Sequence, residues 1–222
     1  MLRAVQEEGF VLYKRLATGI STNEIAQTLG TIINVDELLP SAGIPTVQSL
    51  RPRNTTEVGQ NQYSGHYGLL DFPLHTDLAH WAIPPRYLLL RCLVGTNDVF
   101  TNLHSWLPIV ELLGKATLQR AVFRARRRRV GYSGLVRVLS HQQQTDIFRW
   151  DPLFLRPLNR PAEAVSATML DPKWNDSATK ILLTDPGDSI LIDNWRVLHG
   201  RSPVLGQSKT RHIERVYLSE VF

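Results

Sequence analysis

The sequence predicts a mainly β chain with flanking helices, of the sandwich or jelly-roll type. Three observations predict it. From Leu69 onward, short apolar runs alternate with turn residues. Turn signals such as Asp185-Pro186-Gly187-Asp188 separate those runs. Within that half, one segment carries helical spacing, at about Leu107–Arg126. Many short strands joined by turns bury their faces best as stacked sheets or a closed barrel.

The elements follow in order. Residues 1–30 read as helical, with Ser21 or Thr22 capping a short helix Asn23–Leu29 that stops at Gly30. Residues 40–66 are rich in Pro, Gly, Asn, Gln and Ser, and read as a long loop with short strands. A loop of that length is more often functional than an idle connector. The strands expected next are Tyr87–Val94, Val136–Leu139, Ile181–Thr184, Ser189–Asp193 and Val216–Leu218. The helical insert places Ile109, Leu112, Leu113, Ala116 and Ala121 near one face. With 222 residues, the chain has room for one sizeable core and too little for two. The expected organisation is one domain, 1–222: a helical and loop part over 1–60, then a β core over 61–222 with the insert near 107–126.

Composition narrows the function. Hydrophobic residues make up 43% and charged residues 20%, which excludes a disordered chain. No apolar run approaches the roughly 20 residues of a membrane span, and no signal-peptide pattern is visible. A cytoplasmic protein without a membrane partner is therefore expected. The single cysteine, Cys92, lies in an apolar strand run and reads as a buried core residue. One cysteine excludes an intrachain disulfide and a thiolate-held metal. Any metal must be held by His and carboxylate, which suits iron, manganese or zinc. The net charge of +5 is concentrated in Arg124 and Arg126–Arg129. No base-reading motif accompanies that block, so it reads as the solvated end of the insert helix, and nucleic acid is not the expected partner.

Three segments carry chemistry. In Phe72-Pro73-Leu74-His75-Thr76-Asp77, His75 and Asp77 are two apart and would share a face of an extended strand. In Asp193-Asn194-Trp195-Arg196-Val197-Leu198-His199-Gly200-Arg201, a second histidine follows a hydrophobic strand. Two histidines and one carboxylate on one side of a metal form the facial triad of non-haem iron(II) oxygenases, which leaves positions open for a chelating 2-oxo acid and dioxygen. In Thr210–Leu218, read as a strand, Arg211, Ile213, Arg215 and Tyr217 share a face. Two arginines on one inward face are costly unless that face binds carboxylates, which the guanidinium fork matches.

In their order and combination these segments resemble the taurine dioxygenase and clavaminate synthase-like family of iron(II)/2-oxoglutarate oxygenases. The match also draws on Pro84-Pro85-Arg86-Tyr87-Leu88-Leu89-Leu90 and Pro186-Gly187-Asp188, and covers roughly Asn61 to Val221. The resemblance implies a distorted double-stranded β-helix. It implies His75, Asp77 and His199 as iron ligands, and Arg211 as the partner of the distal carboxylate of 2-oxoglutarate. It implies Arg215 as a contact to the substrate's acid group, and Gln62, Tyr63 and Tyr67 as pocket residues. The family's cosubstrate-binding threonine is displaced here, where Val99 holds its place, and Thr101 or Thr96 would substitute. Arg149-Trp150-Asp151 resembles a family turn that serves fold or substrate. The implied activity needs Fe(II), 2-oxoglutarate and O2. It would hydroxylate an unactivated C–H of a small polar or acidic molecule and release succinate and CO2. Asp77 favours hydroxylation over halogenation, since the family's halogenases lack that carboxylate. A homo-oligomer is compatible with the sequence. The rivals are the same chemistry on a nucleic acid or peptidyl substrate, a hydrolytic zinc enzyme, and a non-catalytic jelly-roll binding protein. Metal dependence and succinate release discriminate among them.

Overall fold

The computed structural model describes residues 2–38, 43–126, 134–142 and 144–222. In chain order, α1 (Leu2–Glu8), β1 (Phe10–Tyr13), α2 (Thr22–Leu29), β2 (Gly30–Ile32), α3 (Val35–Leu38), β3 (Gln48–Leu50) and α4 (Tyr63–Tyr67) come first. Next are β4 (Phe72–His75), β5 (Tyr87–Val94), β6 (Phe100–Ser105), α5 (Leu107–Leu113), α6 (Lys115–Arg120) and β7 (Val122–Ala125). Then come β8 (Leu135–Arg137), β9 (Leu139–Gln142), β10 (Thr145–Phe148), β11 (Leu155–Pro157), α7 (Arg160–Met169) and α8 (Lys173–Asp176). The last strands are β12 (Thr179–Leu182), β13 (Ser189–Asp193), β14 (Val197–Arg201) and β15 (His212–Val221).

Two antiparallel sheets frame the site. Among the described residues, one has the order β1-β13-β5-β15-β2 with β3 also on β15, and the other has the order β12-β6-β14-β4. Neither closes into a barrel. The period of two along each strand sorts the side chains into layers. Leu88, Leu90 and Cys92 of β5, Ile190 and Ile192 of β13, and Ile213 and Tyr217 of β15 face Leu103 of β6 and Val197 of β14 across the gap between the sheets. The alternate residues Tyr87, Leu89, Leu191, Val216 and Leu218 point outward, where Val5 of α1 and Ile25, Ala26 and Leu29 of α2 cover them. A third apolar layer backs the smaller sheet: Trp106, Ile109, Phe123, Phe148, Trp150 and Val165 pack there with Leu74 and Leu198.

The strands Tyr87–Val94 and Ser189–Asp193 lie where the apolar runs place them. Helix α2 opens on Ser21 with a reciprocal Ser21–Glu24 capping box. Three expectations need correction. Residues 1–30 are not helical throughout, because Phe10–Tyr13 adds an edge strand to β13. The insert does not run as one helix to Arg126: Gly114, at φ 77°, ends α5 and restarts the chain as α6. Beyond it Phe123 and Ala125 turn inward as strand β7, so Arg124 is exposed on a strand, not at a helix end. Arg126 donates to His66 Nε2 at 3.0 Å, and Arg127–Arg129 lie outside the described residues. The expected Val136–Leu139 strand is divided between β8 and β9.

Candidate metal centre

The smaller sheet sets the first two histidines side by side. His199 of β14 pairs directly with His75 of β4, and the ring centroids are 4.4 Å apart. Gly200 permits the approach: a Cβ there would sit 2.6 Å from the Phe72 carbonyl oxygen. Asp77 reaches the same point from beyond the strand. β4 ends at His75, and Leu78 takes a left-handed φ of 53° just after Asp77. The side-by-side placement expected of His75 and Asp77 on one strand is thus achieved by a turn. Asp77 Oδ1 lies 3.6 Å from Nε2 of His75 and 3.6 Å from Nε2 of His199. All three side chains are buried, and their donor atoms lie within 4.8 Å of one another. Two imidazoles and a carboxylate converging this closely can hold a divalent transition metal.

The surrounding bonds orient the donors. His75 Nδ1 donates to the Pro73 carbonyl at 2.9 Å, which leaves the Nε2 lone pair facing inward. Asp77 Oδ2 accepts from Arg215 Nη1 at 2.7 Å and from the Tyr217 hydroxyl at 3.1 Å, so Oδ1 is left for a metal. Burial opposes ionisation of Asp77, but the charges of Arg215 and His199 outweigh it and hold the carboxyl well below its usual range. His199 is lowered by burial and by His75, which favours the neutral imidazole that a metal needs. For His75 burial pulls the same way, yet the bond and charge of Asp77 raise it above its ordinary value.

Arg211 stands just before β15 and is 7% exposed. Among the described residues no carboxylate pairs with it. Its Nη2 reaches Thr101 Oγ1 at 3.4 Å, and its Nε has no partner. Burial lowers its pKa to about 10. Thr101 is buried on β6 opposite Arg201, two residues along from Leu103, which faces His199. That spacing is about 7 Å along a strand, the reach of a five-carbon dicarboxylate. Burial, and then the charge of Arg211, lower the pKa of Arg201 to about 10, and its Nη2 donates to the Gly68 and Leu70 carbonyls. Thr96, the alternative to Thr101, lies in a different loop, beside Leu205–Thr210.

The other sequence candidates divide. Tyr63 stacks on His75 with centroids 4.1 Å apart and donates to Asp151 Oδ1 at 2.9 Å. Tyr67 stacks behind Tyr63 at 5.6 Å. Gln62 precedes α4 and is exposed. Arg215 is inward as its strand period requires, but its guanidinium is held by Asp77 and by Gln48 Oε1 at 2.5 Å. His104, His141 and His212 bond elsewhere, to Ser105, Asp146 and Ser49. Sequence reasoning missed Gln48, Tyr217 and Asn194 as parts of this site. Tyr217 was legible, since it shares a strand face with Arg215, whereas Gln48 carried no signal. Asp151, fully enclosed, is raised to about 6 by burial.

No family model matches the chain. It is 26% identical over 149 residues to L-lysine 3-hydroxylase of Catenulispora acidiphila, covering 60% of this chain and 40% of the relative. It is 27% identical over 165 residues to clavaminate synthase 2 of Streptomyces clavuligerus, covering 68% and 50%. The chain thus spans half or less of the curated relatives it matches. Among solved structures, asparagine oxygenase in complex with Fe(II), 2S,3S-3-hydroxyasparagine and succinate aligns with a TM-score of 0.67 at 17% identity, over 98% of this chain and 77% of that one. The non-haem iron oxygenase OrfP in complex with Fe, succinate and (3S)-hydroxy-L-Arg aligns at 0.65 and 18%, over 99% and 77%. In fold and in sequence, the chain is similar to the clavaminate synthase-like iron(II)/2-oxoglutarate oxygenases.

Proposed function

We propose that this chain is one oxygenase domain that uses Fe(II), 2-oxoglutarate and O2 to hydroxylate an unactivated C–H of a small polar molecule, with release of succinate and CO2. One observation carries the reading. A buried His-Asp-His cluster and the buried Arg211, which has no acidic partner among the described residues, lie along the same interior face. A metal centre alone would explain the first; a metal-chelating dicarboxylate explains both. His75, Asp77 and His199 would hold the metal. When bound, the metal would activate O2, the oxidant, and oxidation of the 2-oxo acid to succinate and CO2 would supply two of the four electrons that O2 takes up.

The chain's own groups bind and orient. Arg211 and the Thr101 hydroxyl meet the distal carboxylate, where a buried guanidinium gains most from a bidentate anion. Arg215 and Tyr217 fix the unused oxygen of Asp77, and Tyr63 shields the outer face of the His75 ring. Tyr63, Tyr67 and Asp151 form a linked group beside His75 that a substrate bound next to the metal would meet. An amino acid is the substrate class favoured by the relatives' own ligands and products, which are lysine, asparagine and arginine or their hydroxylated forms.

The test is anaerobic titration with Fe(II) and 2-oxoglutarate, followed by a screen of free amino acids for succinate release. A weak visible charge-transfer band is expected with the wild type and is expected to be absent in His75→Ala. Unchanged metal affinity in His75→Ala would refute the assignment.

A further inference from the structure

We infer that Asn194 is a positioning residue for the Asp77 ligand, acting as a side-chain clamp on its backbone. The inference rests on the metal centre proposed above. Asp77 lies past the end of β4, so no strand ladder fixes its peptide groups. One side chain replaces that ladder. Asn194 Oδ1 accepts from the Asp77 N–H at 2.7 Å, and Asn194 Nδ2 donates to the Asp77 carbonyl at 3.0 Å. The second Nδ2 proton goes to the Pro85 carbonyl at 2.9 Å. The amide therefore grips Asp77 as a neighbouring strand would, on both its donor and its acceptor. The residue is fully buried, so water does not compete for these bonds.

Two further features say what the clamp is for. Leu78, next in the chain, is held at a φ of 53°, a conformation that an unconstrained leucine avoids. That turn aims the Asp77 carboxylate back at the histidines, and the grip on Asp77 keeps it there. Asn194 also sits in the turn joining β13 to β14, the strand that carries His199. The clamp thus ties the carboxylate ligand to the element bearing the second histidine. Arg215 and Tyr217 set the rotation of the carboxylate, whereas Asn194 sets the position of its backbone.

The test uses Asn194→Asp, which keeps the shape and can still accept from the Asp77 N–H, but when ionised has nothing to donate to the two carbonyls. The control is Trp195→Phe. Trp195 is in the same turn, and its Nε1 donates to the Pro84 carbonyl at 2.9 Å rather than to Asp77. Each apoprotein is titrated with Co(II) as a spectroscopic probe, with thermal unfolding measured beside it. Metal affinity is expected to fall about ten- to hundred-fold in N194D with an altered cobalt d–d spectrum, while W195F stays within about twofold at a similar loss of stability. Equal losses of affinity in both variants, or none in N194D, would overturn the positioning role. A wild type that binds no metal would overturn the centre itself, and the clamp with it. Because N194D replaces a buried residue, a second measurement needs no variant: amide exchange in the wild-type apoprotein. The Asp77 N–H and both Asn194 Nδ2 protons are expected to exchange slowly, though Asp77 lies outside any strand. Fast exchange at these groups would refute the clamp.

Discussion

On the proposed function, replacing Arg211 with alanine should separate cosubstrate binding from folding. The guanidinium is buried, has no acidic partner among the described residues, and leaves Nε without an acceptor. Such a group destabilises the empty protein, because its desolvation is not offset. Arg211→Ala should therefore leave the melting temperature of the apoprotein unchanged or raise it. The cosubstrate tells the opposite story. A bidentate charge-assisted pair to a carboxylate is worth about 2–4 kcal/mol, since hydrogen bonds to charged groups contribute about 1.5–3 kcal/mol each and the two share one anion. At about 1.4 kcal/mol per decade, the Michaelis constant for 2-oxoglutarate should rise roughly 30- to 700-fold. Arg211→Lys keeps the charge and loses the fork, so it should fall between. The assay is succinate formation across a 2-oxoglutarate series, paired with thermal shifts with and without the cosubstrate. A Michaelis constant that does not move, or an apoprotein that collapses while its affinity survives, would mean that Arg211 is structural.

Other perturbations read other parts of the molecule. Arg215→Met should lower metal affinity about tenfold or more, because it frees Asp77 Oδ2; a raised substrate Michaelis constant with metal affinity intact would return Arg215 to a substrate contact. Burial pushes the Cys92 thiol to about 11, so at pH 8 only on the order of one in a thousand is thiolate, and iodoacetamide should label it only after unfolding. Asp188 is fully buried and accepts from Lys14 Nζ and from the backbone N–H groups of Arg15, Thr184 and Asp185. Burial raises its pKa, but these bonds outweigh that and hold it below the usual value. Its contribution is present above the unfolded carboxyl pKa of about 3.9 and is lost as pH falls through the lower folded value. Asp188→Asn should cost about 2–3 kcal/mol in urea unfolding at pH 7, and the gap from wild type should narrow below about pH 4.

The elements legible in the sequence are those specified by near neighbours. Ser21 and Glu24 cap α2 through bonds three residues apart, so the motif can be read without knowing the fold. The runs Tyr87–Val94 and Ser189–Asp193 are apolar on both faces, and they prove to be adjacent strands covered on both sides. The insert misled because spacing reports a face but not continuity. Ile109 is buried as a helix face requires, yet Leu112 is 56% exposed, and Gly114 breaks the run before Phe123 and Ala125 settle into a strand period. The triad was legible as residue types in an order, while the way Asp77 joins it was not. A period of two predicted a shared strand face for His75 and Asp77. The chain instead leaves the strand at His75 and turns through Leu78, which has no intrinsic preference for that region. What makes the turn affordable is distant in sequence: the Asn194 amide on the Asp77 peptide, and Arg215 and Tyr217 on its carboxylate. Local spacing reports propensity, and at Asp77 propensity is overruled by hydrogen bonds that exist only once the two sheets have met. One of the left-handed non-glycine residues, Leu78, therefore lies directly beside the carboxylate that a metal would use, held there by contacts that no local pattern announces.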